Sequence, residues 1–291
     1  MKKILTAMTA AAMAMSLTAC SSSASSAAAA SSSASSAEDD NVFTIAMECA
    51  YAPYNWAQDD DSNGAVPIKD STQYANGYDI MIAKKICEAN GWELEVIQSD
   101  WDSLVPAVVS GTIDAAIAGQ SMTAERSEVV DFAGPYFYAS IVIVTKADSA
   151  YANAQTISDF AGAKGTAQIA TIWYDQCLPQ MEGVEIQTAT ETAPAMLMAL
   201  ETNTVDFIVT DLPTAQGAVA AYPDLTILNF SGTDGDFQFT EEERAENVNI
   251  GISYMKGRDE LGEAINAVLS QYTEEDFNEM MAEAIAIAPA E

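Results

Sequence analysis

One side chain common in catalysis is missing from this sequence, and its absence is as informative as what is present. There is no histidine among the 291 residues. That excludes Ser-His-Asp and Cys-His nucleophiles, imidazole zinc ligands and a histidine pH switch. No Gly-x-x-x-x-Gly-Lys run occurs, so the chain carries no nucleotide-binding P-loop. What remains is acid–base chemistry by Asp or Glu and recognition by charge and by aromatic faces. Arg126 stands where the strand-end loop Gly119–Thr123 enters a helix, and a planar guanidinium is a two-pronged partner for a carboxylate. Asp211 closes a strand in Val209-Thr210-Asp211-Leu212-Pro213, where it can accept from a cation and also cap the next helix.

Overall charge narrows the partners. Eleven Lys+Arg face 43 Asp+Glu, a formal charge of −32. Such a chain repels the phosphates a nucleic-acid binder must neutralise. Setting aside Lys2 and Lys3, which lie in the leader described next, leaves nine cations, and Arg126 is one of them. With 49% hydrophobic residues, the chain beyond its first forty positions can bury a core. No metal or cofactor is expected.

Met1-Lys2-Lys3 is a positive start, and Ile4 to Leu17 is apolar but short for a bilayer span. The run ends in Leu17-Thr18-Ala19-Cys20, which resembles a bacterial lipoprotein signal. That resemblance implies cleavage after residue 19, lipidation of Cys20 and a place on the extracytoplasmic face of the cell membrane. Ser21 to Ala37 holds only Ser and Ala, so residues 20–40 are expected to be an anchored tether, roughly 20–25 Å long as a coil. Of the remaining cysteines, Cys49, Cys87 and Cys177 fit no metal spacing and are expected as buried free thiols.

The rest of the chain alternates strand and helix patterns, which implies α/β domains with parallel sheets. Val42–Met47 reads as a strand and Glu48–Trp56 as the loop after it. Asp59–Ala75 is a polar excursion, Tyr78–Asn90 a helix stopped by Gly91, and Ile113–Ala118 a buried strand. A second series follows, with strands at Ile141–Thr145, Lys164–Ile169, Val184–Thr188 and Val205–Thr210, and helices at Ala170–Gln180 and Thr192–Glu201. Thr112–Gly119 can be laid on Thr204–Asp211, so two units of similar plan are expected. Ligands of open α/β sheets sit beyond the carboxyl ends of strands. The loops to inspect are therefore Glu48–Trp56, Ala118–Arg126, Ile169–Trp173 and Asp211. Within Phe230–Glu246, the charge run Thr240-Glu241-Glu242-Glu243 is expected to be a solvated face.

Several motifs then fall in one order: Gly77-Tyr78-Asp79-Ile80, Asp100-Trp101-Asp102-Ser103-Leu104-Val105-Pro106, Ser110-Gly111-Thr112-Ile113-Asp114-Ala115 and Gly119-Gln120-Ser121-Met122-Thr123-Ala124-Glu125-Arg126, followed by Val130-Asp131-Phe132-Ala133-Gly134-Pro135-Tyr136. Together they resemble the extracellular solute-binding proteins of polar-amino-acid ABC transporters. The resemblance runs over some 240 residues, from about Val42 to the C-terminal helices. It implies a two-lobed, type II periplasmic-binding-protein-like fold, with two α/β sandwich lobes joined by two hinge crossings. Residues 41–138 plus 248–291 would form one lobe and 139–247 the other, crossing at Tyr138–Ser140 and near Ala245–Asn249.

The resemblance also implies a ligand, a free amino acid, and a set of contacts for it. Arg126 would take its carboxylate, helped by helix-start amides from Ser121 and Thr171. Asp211 would take its ammonium, and the Gly119 carbonyl and the Ser121 hydroxyl would complete the cage around its head group. Tyr51, Tyr54 and Trp101 would line its side chain, and Glu48 sits where binders of basic amino acids place an acid. The family's Gly-Thr-Thr loop appears here as Ala170-Thr171-Ile172, a departure that removes a hydroxyl and a glycine. The acidic field and the lack of a second cation near the cleft favour a neutral polar or cationic amino acid over an acidic one. Implied partners are a membrane permease and its ATPase, with the chain itself a monomer and not an enzyme. A sensory lipoprotein and a dehydratase-like enzyme on the same scaffold are the alternatives left open.

Overall fold

A computed structural model of the protein describes residues 41–289. The expected leader, Cys20 and the Ser/Ala tether lie outside the described residues. In chain order the strands and helices begin with β1 (Val42–Met47), β2 (Ala50–Tyr51), β3 (Asn55–Gln58), β4 (Val66–Pro67), β5 (Tyr74–Asn76), α1 (Tyr78–Asn90), β6 (Glu93–Gln98), α2 (Leu104–Ser110), β7 (Ala115–Ala116), α3 (Ala124–Ser127) and β8 (Val130–Phe137). They continue with β9 (Ile141–Lys146), β10 (Lys164–Thr166), β11 (Glu185–Ile186), α4 (Ala193–Glu201), β12 (Phe207–Asp211), α5 (Leu212–Ala221), β13 (Leu225–Leu228), α6 (Glu241–Asn247), β14 (Ile250–Met255), α7 (Asp259–Leu269) and α8 (Glu274–Ile287).

Local chemistry explains the elements that frame the cleft. α1 buries Ile80, Ile82, Ala83, Ile86 and Cys87 on one side. It stops at Gly91, whose φ of +68° is left-handed and costs glycine little. Beyond it the Trp92 amide turns back to the Cys87 carbonyl, closing a helix-ending turn. β12 is buried along its whole length and β1 along its second half, as strands with neighbours on both sides.

Two five-stranded sheets form the two lobes, in the orders β6-β1-β7-β14-β8 and β11-β10-β12-β9-β13. The orders correspond position by position, so β7 and β12, the two strands of the internal echo, hold the same third place. The expectation of parallel sheets needs correction. β1, β6 and β7 run parallel, as do β10, β11 and β12, but β14 is antiparallel to β7 and β9 is antiparallel to β12. The cause is topological. β9 follows the passage at residues 138–140, and β14 follows the return at residues 248–249. A strand arriving from the cleft enters at the carboxyl ends of its neighbours and must run against them.

Further differences are local. Glu48–Trp56 and the polar excursion are not simple loops. They contribute a small antiparallel sheet, β2-β3-β5-β4, whose strands of two to four residues are too short to show alternation. The expected helix at Ala170–Gln180 is a wide turn at Trp173–Cys177 followed by a 3-10 turn at Leu178–Gln180, where Pro179 cannot continue the ladder. The charge run inside Phe230–Glu246 is solvated as expected, while part of the rest of the segment packs into the molecule. Glu241, Glu242 and Glu243 are exposed, but Phe230, Asp236 and Phe237 are buried, and Arg244 pairs with Asp236 at 2.6 Å. Cys49, Cys87 and Cys177 are buried free thiols. No described helix is long and apolar enough to cross a membrane.

Candidate functional site

The carboxyl ends of β1 and β7 carry the cleft loops of the first lobe. Directly after β1, Glu48 is only 5% exposed, and burial pushes its carboxyl up to about 7, with Asp100 and Asp102 adding repulsion. Gln168, from the loop after β10 in the second lobe, donates to it at 3.3 Å. Cys49 then takes a left-handed φ of +55°. Tyr51 follows, stacked on Tyr54 with ring centroids 5.1 Å apart. Both rings crowd Gly119, where an added Cβ would sit 2.9 Å from the Tyr51 ring and 3.0 Å from the Tyr54 ring. A side chain at position 119 would therefore displace the Tyr51 ring.

Arg126 is set by its short helix. Thr123 caps α3 by accepting the Arg126 amide at 3.2 Å. The half-buried guanidinium donates to the Ser121 carbonyl at 2.7 Å and to the Ala170 carbonyl of the second lobe at 2.9 Å. It also lies over the Trp101 ring at 5.4 Å from the centroid. Burial pulls its pKa down to about 10, with Glu125 and Asp175 opposing, so it stays charged at neutral pH.

In the second lobe Asp211 ends β12 and caps α5. Its Oδ1 accepts the Thr214 amide at 3.0 Å, and its Oδ2 accepts the Thr214 hydroxyl at 3.0 Å and the Tyr51 hydroxyl at 2.5 Å. It is fully buried, and burial pushes its carboxyl up against the lowering effect of these donors. Ala170 has a φ of +53°, the conformation a glycine would adopt there. Thr171 spends its hydroxyl locally, donating to the Gln168 carbonyl at 2.7 Å.

Among the described residues, three hydrogen-bonded pairs bridge the cleft, Glu48 with Gln168, Tyr51 with Asp211, and Arg126 with Ala170, and beside the return crossing the Ala124 amide donates to Asn247 Oδ1 at 3.0 Å. Arg126 of the first lobe and Asp211 of the second both take part in these bridges. Each is already engaged by the opposite lobe, because a buried carboxylate or guanidinium needs partners when the lobes meet. Trp101 meets Tyr51 edge-on at 6.4 Å. Tyr54 stands behind Tyr51. It is fully buried between Tyr51, Tyr78 and Phe137, and its hydroxyl has no partner among the described residues.

Two cavities flank these bridges. One, of about 430 Å³, is lined by Arg126, Trp101, Ala170, Thr171 and Asp175 among others. The other, of about 350 Å³, is lined by Glu48, Asp100, Trp101, Asp102, Ser103, Ile169, Glu191 and Thr192. The second wall holds four carboxylates and no cation. Gln168 and Glu191 are site residues that the motifs did not single out. The signal that could have found them is position, since each sits in a loop just past a strand of the second sheet. No cluster among the described residues could hold a metal ion.

Known proteins resemble the chain in sequence and in fold. The sequence is 28% identical to a probable histidine-binding protein of Campylobacter jejuni over 266 residues, covering 89% of this chain and 93% of that one. It is 24% identical to the arginine-binding extracellular protein ArtP of Bacillus subtilis, covering 93% and 92%. Its fold matches the amino acid ABC transporter substrate-binding protein AbpA of Streptococcus pneumoniae, solved bound to L-arginine, with a TM-score of 0.67 and 25% identity over 84% of this chain and 95% of that one. Residues 43–283 match the family pattern, and the chain belongs to the bacterial extracellular solute-binding proteins, family 3.

Proposed function

We infer that the chain captures a free amino acid with a cationic side chain between its two lobes and presents it to an ABC permease. The observation that carries this reading is the buried Glu48 carboxylate, which shares a cavity with Asp100, Asp102 and Glu191 and faces no cation there. Buried carboxylates without a counter-charge are costly, and a guanidinium or ammonium from a ligand relieves that cost. In this reading the ligand's carboxylate takes the Arg126 fork and the Thr171 amide. Its ammonium displaces the Tyr51 hydroxyl at Asp211 and meets the Gly119 carbonyl and the Ser121 hydroxyl. Tyr51 and Trp101 flank its side chain, while Tyr54 supports Tyr51 from behind.

Binding then works through differential affinity. Contacts from both lobes exist together only when the lobes meet, so ligand shifts the population toward closure about the two crossings. The ligand leaves intact, and the ATPase that drives uptake is a separate subunit. A signal at residues 1–19 and a lipid on Cys20 would hold the monomer at the outer face of the membrane through the Ser/Ala tether.

Calorimetric titration of the purified protein with arginine, lysine, histidine, glutamine and glutamate tests the reading. The cationic amino acids are expected to bind most tightly. A ligand at 100 times its Kd should add about 2.7 kcal/mol to stability in a parallel melting experiment. Tightest binding of glutamate, or no binding by any of the five, would overturn the reading.

A further inference from the structure

A chain of buried hydrogen bonds runs between the two cleft loops of the first lobe, and the binding contacts leave it unused. On one side the Cys49 amide donates to Asn55 Oδ1 at 2.7 Å, and Asn55 Nδ2 donates to Asp79 Oδ2 at 2.8 Å. On the other side the Gly119 amide donates to Tyr136 Oη at 3.0 Å, and Tyr136 Oη donates to Asp79 Oδ1 at 2.6 Å. Asn55, Asp79 and Tyr136 have no exposed surface. They come from three elements, the start of β3, the first turn of α1 and the end of β8.

The direction of the donors decides what must stand at the centre. Both ends are backbone N–H groups, which only donate, and both point inward. A side-chain amide and a phenol can each accept on one side and donate on the other. The middle group must therefore accept from both arms, which an ionised carboxylate does without presenting a competing donor. The two tied amides also share a conformation. Cys49 has a φ of +55° and Gly119 a φ of +63°. Glycine adopts that region freely, whereas cysteine does not. The tie to Asn55 is thus placed where the backbone needs external support.

We propose that Asp79 is a positioning residue for the ligand cleft: as the acceptor at the centre of the chain Cys49–Asn55–Asp79–Tyr136–Gly119, it holds the loop of Glu48 and Tyr51 and the loop of Gly119 and Ser121 in one binding-competent arrangement. It touches no ligand itself. The proposal rests on the cleft being the amino-acid site, and its test includes a measurement that needs no ligand.

That measurement is amide hydrogen exchange at Cys49 and Gly119, read beside calorimetric titration with arginine. Asp79→Leu removes the acceptor at similar size. Exchange at both amides is expected to quicken at least tenfold, and arginine affinity to fall at least tenfold. Two single-arm variants keep the question open to test if Asp79→Leu does not fold. Tyr136→Phe should quicken Gly119, and Asn55→Ala should quicken Cys49, each weakening arginine binding. Adding Cys49→Gly to Asn55→Ala should then restore most of the affinity, because glycine keeps the left-handed turn unaided. A residue that served stability alone would give no such rescue, since Cys49→Gly removes a further buried side chain. Unchanged exchange at both amides, or wild-type affinity in a folded variant that has lost the tie, overturns the proposal. Failure of the unaltered protein to bind any amino acid would instead overturn the binding reading, and exchange alone would then decide whether Asp79 holds the loops.

Discussion

In the first lobe the left-handed residue past β1, Cys49, is held from within, through Asn55 and the buried Asp79. In the second lobe the left-handed residue past β10, Ala170, has its carbonyl held from outside, by Arg126 of the first lobe. β1 and β10 occupy matching places in their sheets, so the two loops are structural counterparts with opposite means of support. One half of the cleft is braced by its own core. The other is braced in part by its partner lobe. A binding protein divided this way has a preformed half-site waiting on the first lobe and a second half completed by contact, which makes ligand capture and lobe closure one event.

The sharpest way to break the comparison is Arg126→Ala. This change removes the carboxylate fork and the brace on Ala170 together. Truncating one partner of a desolvated charged contact typically costs about 2–5 kcal/mol. Arginine affinity is therefore expected to fall by roughly a hundredfold or more, measured by calorimetry. The first lobe keeps its internal support, so cooperative melting of the free protein should persist. Arg126→Lys should recover little, because an ammonium cannot bridge the Ser121 and Ala170 carbonyls and a ligand carboxylate in one plane. Near-normal binding by Arg126→Ala would mean that the second lobe's loop needs no brace.

The next effect separates the two lobes by pH. Glu48, on the first lobe, has its carboxyl raised to about 7 by burial, so below that pH the free protein holds a proton there. A cationic side chain beside it favours the ionised form, and binding must expel the proton. Affinity for arginine should accordingly rise with pH from about 5.5 to 7.5, by up to about tenfold per unit, and level off above. Calorimetry in buffers of different ionisation enthalpy should record proton release at pH 6. Glu48→Gln should remove the dependence and lower affinity at pH 8. A slope that survives Glu48→Gln would assign the proton to another raised carboxyl, Asp79 or Asp211.

What the sequence let one read follows the range of the interaction. Arg126 and Asp211 stand out in the sequence because local signals surround them, the Ser-x-Thr-x-x-Arg run after a buried strand in one case and Asp-Leu-Pro at a strand end in the other. Gly91 announces the end of α1 for the same reason. The reversal of β9 and β14 leaves no mark in their alternation, since it depends on where the chain enters each sheet. The Tyr51–Asp211 bond joins residues 160 positions apart, and no local pattern encodes it. Asp79 looks like an ordinary acid in the first turn of a helix, where acids favour the N-terminal dipole. Only packing shows it enclosed, with Asn55 on one side and Tyr136 on the other.

The smallest effect tests the second loop alone. Ala170 is exposed, so Ala170→Gly removes almost no packing. A left-handed alanine costs about 1–2 kcal/mol, and glycine's greater freedom in the unfolded chain returns roughly 0.5–1 kcal/mol of that. Net stabilisation of about 0.5–1 kcal/mol is expected in chemical denaturation. Cys49→Gly relieves the same backbone penalty but empties a buried site, so it should give no gain. The pair matters more than either value. If both glycines stabilise equally, the Asn55 tie was not holding Cys49 and the two loops are supported alike. If only Ala170→Gly stabilises, the first lobe already meets the demand of its left-handed turn from within, and the second lobe leaves part of that demand to the contact with Arg126.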